Sequence, residues 1–95
     1  MEVVWTQEAE RDYYTQIDWL LERWGQSTAE KFVDEAFETI EHAATNPFMY
    51  ARTDIAEVRK AVVNQHVSLY YRLEERQIIL LRFWPNRQDP KKLNL

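Results

Sequence analysis

Hydrophobic periodicity changes once along this chain, and that change confines it to a small set of folds. From Ala9 to Ala44 the apolar side chains recur at helical spacing. From Val58 to Trp84 they alternate or run nearly unbroken, which is the pattern of strands. Two helices followed by several short strands must bury one helix face against one sheet face, because neither can bury its apolar side alone. With 95 residues there is room for one such domain, residues 1–95, and one core.

The helical half has readable boundaries. Val3-Val4-Trp5 suits a short first strand. Thr6 is placed to cap the helix that follows, with Glu8 favourable against its dipole. Ala9, Tyr13, Ile17, Leu20, Leu21 and Trp24 define one face of that helix, and Tyr14 and Trp19 fall off it. Gly25, the only glycine, follows at the position of a left-handed C-cap. Ser27-Thr28-Ala29-Glu30 reads as a capping box opening a second helix with Ala29, Phe32, Val33, Ala36, Phe37, Ile40, Ala43 and Ala44 on its apolar face. Asn46-Pro47 stops it. The short linker makes the pair an antiparallel hairpin.

Phe48 to Ala56 carries no clear period. Val58–Val63, His66–Glu74 and Gln77–Trp84 then read as three strands, with turns at Asn64-Gln65 and Glu75-Arg76. In the middle strand Val67, Leu69, Tyr71 and Leu73 face one way; His66, Ser68, Tyr70 and Arg72 face the other. The last strand is apolar on both faces and belongs inside the sheet. The expected fold is α+β, ordered β-α-α-β-β-β, with a helical hairpin on a mainly antiparallel sheet.

Charge divides the chain along the same line. Residues 1–47 hold eleven acids and three bases (−8), and residues 48–95 hold five acids and nine bases (+4), for a net −4. A basic second half points to a polyanion or an acidic partner on one side of the molecule. Without cysteine there is no disulfide framework, and two histidines argue against a His-rich zinc site. No metal or cofactor is expected. No apolar run is long enough for a membrane span, and the N-terminus lacks the basic-then-apolar order of a signal peptide, so a cytoplasmic protein is expected.

Trp24-Gly25, Ala29, Phe32, Asn46-Pro47, Val58-Arg59, His66-Val67-Ser68-Leu69-Tyr70-Tyr71-Arg72 and Arg87-Gln88-Asp89-Pro90 occur in an order and spacing that resembles the RelE/ParE toxin superfamily. The pattern is closer to the ParE branch. The resemblance implies the toxin of a type II toxin–antitoxin module, bacterial and associated with plasmid stabilisation, that arrests growth and is neutralised by a cognate antitoxin protein. ParE-like members inhibit DNA gyrase; RelE-like members cut mRNA on the ribosome. Metal-independent RNA cleavage needs a base for the 2′-hydroxyl, an acid for the leaving oxygen and cations for the phosphate. Ser68 stands where such a nuclease carries an arginine, and Leu93 or Leu95 where it carries a tyrosine.

Arg59, Arg82, Arg87 and His66 are the residues a nuclease would use here. Tyr14, Trp19, Arg72, Trp84, Arg87, Lys91 and Lys92 are the candidates for partner contact. Each also has a plain structural role open to it. Arg72 can be a solvated strand position, and Trp84 can be a packing residue before Pro85. Arg82 interrupts an apolar strand and therefore needs an acidic partner, a ligand or solvent. The leading reading is a gyrase inhibitor. The alternatives are a ribosome-dependent mRNA endonuclease and a non-toxic member that only binds its antitoxin.

Overall fold

The computed structural model describes residues 1–93 and 95. Strand β1 (Glu2–Trp5) leads into helices α1 (Gln7–Arg23) and α2 (Gln26–Thr45). Strands β2 (Ala51–Arg52), β3 (Val58–Val62), β4 (Val67–Glu74) and β5 (Gln77–Pro85) follow, and a 3-10 turn (Pro90–Lys92) lies near the C-terminus. The sheet order is β1-β5-β4-β3-β2; β1 is parallel to β5 and the other pairs are antiparallel. The expected α+β architecture is therefore present, with one added strand. β2 is only two residues long, too short to leave a period in the sequence.

β5 lies between β1 and β4, which explains its apolar character on both faces. Pairing with β4 shifts by one residue between Tyr70 and Tyr71, opposite Arg82 and Leu80, so Leu81 is a bulge residue. Beyond that point β1 has ended, and α1 runs beside the open edge of β5. The core between helices and sheet is built from Phe32, Leu69, Tyr71, Ile78, Leu80 and Phe83 with smaller neighbours. Tyr13 is its aromatic hub, with ring centroids of Trp5, Phe32, Phe37 and Phe83 5.3, 5.8, 6.0 and 5.8 Å away.

Thr6 caps α1 as expected: its Oγ1 accepts from the Ala9 N–H at 3.1 Å and donates to the Leu80 carbonyl at 2.7 Å, tying the helix start to β5. Gly25 has φ +95° and ψ −178°, so it is in the positive-φ half of backbone space but not in the helical left-handed well. It closes α1 through its N–H on the Leu20 carbonyl at 3.0 Å and is also the N-cap of α2. The Ser27–Glu30 capping box does not form, because α2 begins at Gln26 and those residues already lie in its first turns. Gln26 donates to Glu30 Oε1 at 2.9 Å instead.

Three faces differ from expectation. Leu21 and Trp24 are exposed rather than core; the buried line of α1 runs through Ala9, Tyr13 and Leu20, and Leu21 is turned a helical step away from it. Phe37 touches the Tyr13 ring with one edge and leaves half its surface to solvent. Trp19 is half-buried against the core rather than free, with the Arg23 guanidinium 5.1 Å from its ring centre. On β4 the second face is also covered: Ser68 and Tyr70 are buried, and only Arg72 there is half-exposed.

Candidate functional site

The register across β3, β4 and β5 arranges the face opposite the helices in rows. Lys60, Tyr70 and Arg82 form one row, Val62, Ser68 and Trp84 a second, and Val58, Arg72 and Ile79 a third. Cations and aromatics thus meet on one surface. The Lys60 ammonium is 6.0 Å from the centre of the Tyr70 ring, and the Arg82 guanidinium is 5.2 Å from the Trp84 ring. Burial raises the pKa of the Tyr70 hydroxyl above its ordinary value.

Arg82 has the acidic partner its position requires. Its Nε donates to Asp12 Oδ2 at 2.7 Å and its Nη2 to Asp12 Oδ1 at 3.0 Å, a two-point contact. Asp12 Oδ2 also accepts the Phe83 backbone N–H at 3.1 Å, filling the ladder position that β1 no longer reaches. That hydrogen bond to Asp12, more than the carboxylate charge, raises Arg82 above its ordinary value against the opposing effect of burial. A recess of about 170 Å3 opens beside this pair, lined by Thr15, Gln16, Trp84 and Gln88 among others.

Arg59 lies elsewhere. It pairs with Tyr71 in register, on the helix side of the sheet. Its Nη1 donates to the Tyr50 carbonyl at 2.7 Å and the Phe48 carbonyl at 3.2 Å, and its guanidinium sits 5.2 Å from the Phe48 ring. The Tyr71 hydroxyl donates to the Pro47 carbonyl at 2.7 Å. Burial pushes Tyr71 up to about 12 despite the lowering effect of nearby Arg59. Together these two side chains hold the segment after α2 against the sheet.

His66 and Arg87 share the other end. The Asn86 N–H donates to the His66 carbonyl at 2.8 Å, so the residue before Arg87 is fastened to the start of β4. Both side chains are exposed, and the Gln65 amide nitrogen is 3.2 Å from His66 Nε2. Arg72 faces Glu74 at 3.9 Å, and Lys91 and Lys92 are exposed in the 3-10 turn. Tyr14 is 56 % exposed. The structure therefore gathers His66, Trp84 and Arg87 at one end of the sheet, keeps Arg82 on Asp12, and sends Arg59 to a different contact.

Sequence reasoning missed Asp12, Lys60, Asn64 and Asn86. Asn64 Oδ1 accepts from the His66 and Val67 N–H groups at 2.7 and 3.0 Å, the side-chain-to-backbone turn that asparagine favours. Asn86 donates to the Asn64 carbonyl at 3.0 Å and accepts from the buried Ser68 hydroxyl. Among the described residues no three His, Cys, Asp or Glu side chains group to hold a metal, and no helix is long and apolar enough to cross a membrane.

The helical hairpin on a five-stranded sheet, with cations and aromatics on the face opposite the helices, defines a compact α+β protein of the RelE/ParE type. Residues 3–90 match the sequence model described as "ParE toxin of type II toxin-antitoxin system, parDE", and the chain belongs to that family. Among solved structures it is similar to a chain of the chromosomal ParDE toxin–antitoxin system of P. aeruginosa, with 22% identity, a TM-score of 0.74, and coverage of 87% of this chain and 92% of that one. It is also similar to a YoeB/ParE toxin from Agrobacterium tumefaciens, with 16% identity, a TM-score of 0.64, and coverage of 87% and 95%. The YoeB dimer of Staphylococcus aureus shares 12% identity at a TM-score of 0.63, over 87% of this chain and 93% of that one. No curated protein matches the sequence.

Proposed function

We propose that this chain arrests growth by binding and inhibiting DNA gyrase, and that a cognate antitoxin protein neutralises it. The observation that carries this reading is the commitment of the strand arginines. Arg82 is held at two points by Asp12, and Arg59 is spent on the carbonyls of Phe48 and Tyr50. Neither is free to meet a phosphate without breaking structural contacts, and Ser68, in the row next to Arg82, supplies no cation. Binding to a protein target asks for no proton-transfer pair. Trp84, Arg87, Lys91, Lys92 and Arg72 supply an aromatic anchor and a basic rim for such contact.

A second reading, the ribosome-dependent mRNA endonuclease, draws on Lys60, Arg87 and His66, which do not depend on Asp12. A member that only binds its antitoxin has the same surface and no toxicity. Tightly controlled expression in bacteria separates the three. The gyrase reading expects growth arrest with a DNA-damage response and intact mRNA, relieved by co-expressing the antitoxin. Codon-related cleavage of ribosome-bound mRNA, lost in Arg87→Ala, would replace it with the nuclease reading. Absence of arrest would leave antitoxin binding alone.

A further inference from the structure

The recess beside the Asp12–Arg82 pair has polar walls from three parts of the chain. α1 supplies Asp12, Thr15 and Gln16, β5 supplies Arg82 and Trp84, and Gln88 comes from the loop beyond Pro85. One of these groups is unusual. The Trp84 indole N–H is shielded from solvent and is the one buried side-chain polar atom without a hydrogen-bond partner among the described residues. Folded proteins pair nearly all their buried donors, so an unpaired one asks for an acceptor from outside the chain. Arg82 adds donors of its own. Its guanidinium has five N–H groups, and Asp12 takes two of them.

The charges of the recess cancel. Asp12 neutralises Arg82 at 2.7 Å, and the other polar walls are a hydroxyl, two carboxamides and an indole. A carboxylate or phosphate entering here would meet the Asp12 charge, and an ammonium would meet Arg82. Acceptors remain beside the donors. Asp12 Oδ2 is occupied by Arg82 and the Phe83 N–H, whereas Oδ1 accepts one bond and has capacity for another. Thr15 and Gln16 offer oxygen on the same helix. Donors thus lie on β5 and acceptors on α1. The group that answers both is a primary carboxamide: uncharged, with an acceptor oxygen on one side and two N–H donors on the other. Size agrees, because about 170 Å3 is the liquid-state share of about six waters, enough for a side-chain end and short of a nucleotide. One face of the Trp84 ring is already taken by the Arg82 guanidinium 5.2 Å away, which leaves less of it for a stacked base.

We infer that the recess is a binding site for the carboxamide of an Asn or Gln side chain, its oxygen on Trp84 Nε1 and Arg82 and its nitrogen on the α1 side. Assigning that side chain to a protein target rests on the gyrase-inhibitor reading; the ligand chemistry of the recess does not. Within that reading the site adds specificity to the Trp84 anchor, since a target lacking the carboxamide leaves the recess donors unpaired.

The probe is acetamide, titrated into the whole nitrogen-15-labelled protein. The four tryptophans give separate indole N–H signals, so Trp5, Trp19 and Trp24 serve as internal controls. The Trp84 signal should move saturably, with the side-chain amide signals of Gln16 and Gln88, at a Kd of roughly 10–100 mM, in the range four non-hydrogen atoms can supply. Acetate, the same shape with a charge, should bind about fivefold more weakly or worse. Gln16→Leu and Gln88→Leu should each weaken acetamide about fivefold, the loss of one hydrogen bond, and leave the rest of the spectrum in place. Trp84→Phe should weaken it at least as much. N-methylacetamide stands for a backbone peptide group and cytidine for a nucleic-acid base. Tighter binding of either, acetate equal to acetamide, a Trp84 signal that does not move, or acetamide binding unchanged in both glutamine variants would overturn the assignment. The titration contains no gyrase, so it can fail while the protein still blocks supercoiling and succeed where the protein does not.

Discussion

At the residue scale, Asp12 carries more than its place on an exposed-looking helix turn implies. One carboxylate neutralises Arg82, fixes it over Trp84 and completes the backbone bonding of Phe83. Asp12→Ala leaves a half-buried guanidinium and a backbone N–H without partners. With the pair still partly open to water, the expected cost is about 2 kcal/mol. That lowers the melting temperature by about 10 °C in a domain of this size, readable by thermal denaturation. Tyr71 gives a pH signature. Its hydroxyl is buried and its pKa is raised from 10.0 to about 12. A raised folded-state pKa means that stability is intact below pH 10 and is lost as pH rises towards 12, because the unfolded chain releases the proton first. Urea unfolding at pH 8 and pH 11 should show the loss, and Tyr71→Phe should reduce it, with the remainder coming from Tyr13, Tyr50 and Tyr70, which burial also raises. The need of Arg82 for a partner was legible from a charge inside an apolar strand. Its partner was not, because Asp12 is 70 residues away and no local pattern links a helix turn to a strand edge.

At the element scale, periodicity located both helices and the three long strands, since each buries one face or two against the core. Boundaries were legible where a side chain makes the cap and at Asn46-Pro47, where α2 ends at Thr45 before a proline that disfavours a further helical residue. Thr6 could be read as a cap because its hydroxyl bonds the helix start. The start of α2 could not, because Gly25 takes both roles with its backbone and makes the Ser27 box unnecessary. Gly25→Ala meets no atom within 4 Å, so its cost is purely conformational. About 1–2 kcal/mol of destabilisation is expected in urea unfolding, from a φ that L-residues avoid. Glu75 is the converse case: at φ 49° in the β4–β5 turn it pays a strain that glycine would not. Glu75→Gly should be neutral to about 1 kcal/mol stabilising by the same measurement. The exposure of three apolar residues on the helices was hidden for a related reason. A helical stripe says which residues are apolar, and only the packing beneath says that Leu21, Trp24 and Phe37 are left at its margin, exposed.

On the scale of the whole molecule, the charge division reads directly into the fold. The acidic half became the hairpin and the basic half became the sheet and tail, so the protein offers an acidic apolar surface and a basic aromatic one on different sides. Family membership and architecture follow from 88 consecutive residues, 3–90, and from the sheet order. The proposed function is narrower than the family: obstruction of gyrase rather than cutting of RNA. Purified protein added to gyrase and relaxed plasmid should block ATP-dependent supercoiling in proportion to its concentration. The same protein added to translating ribosomes should leave the mRNA whole. Undiminished supercoiling at saturating protein, with mRNA cut on the ribosome, would contradict the account.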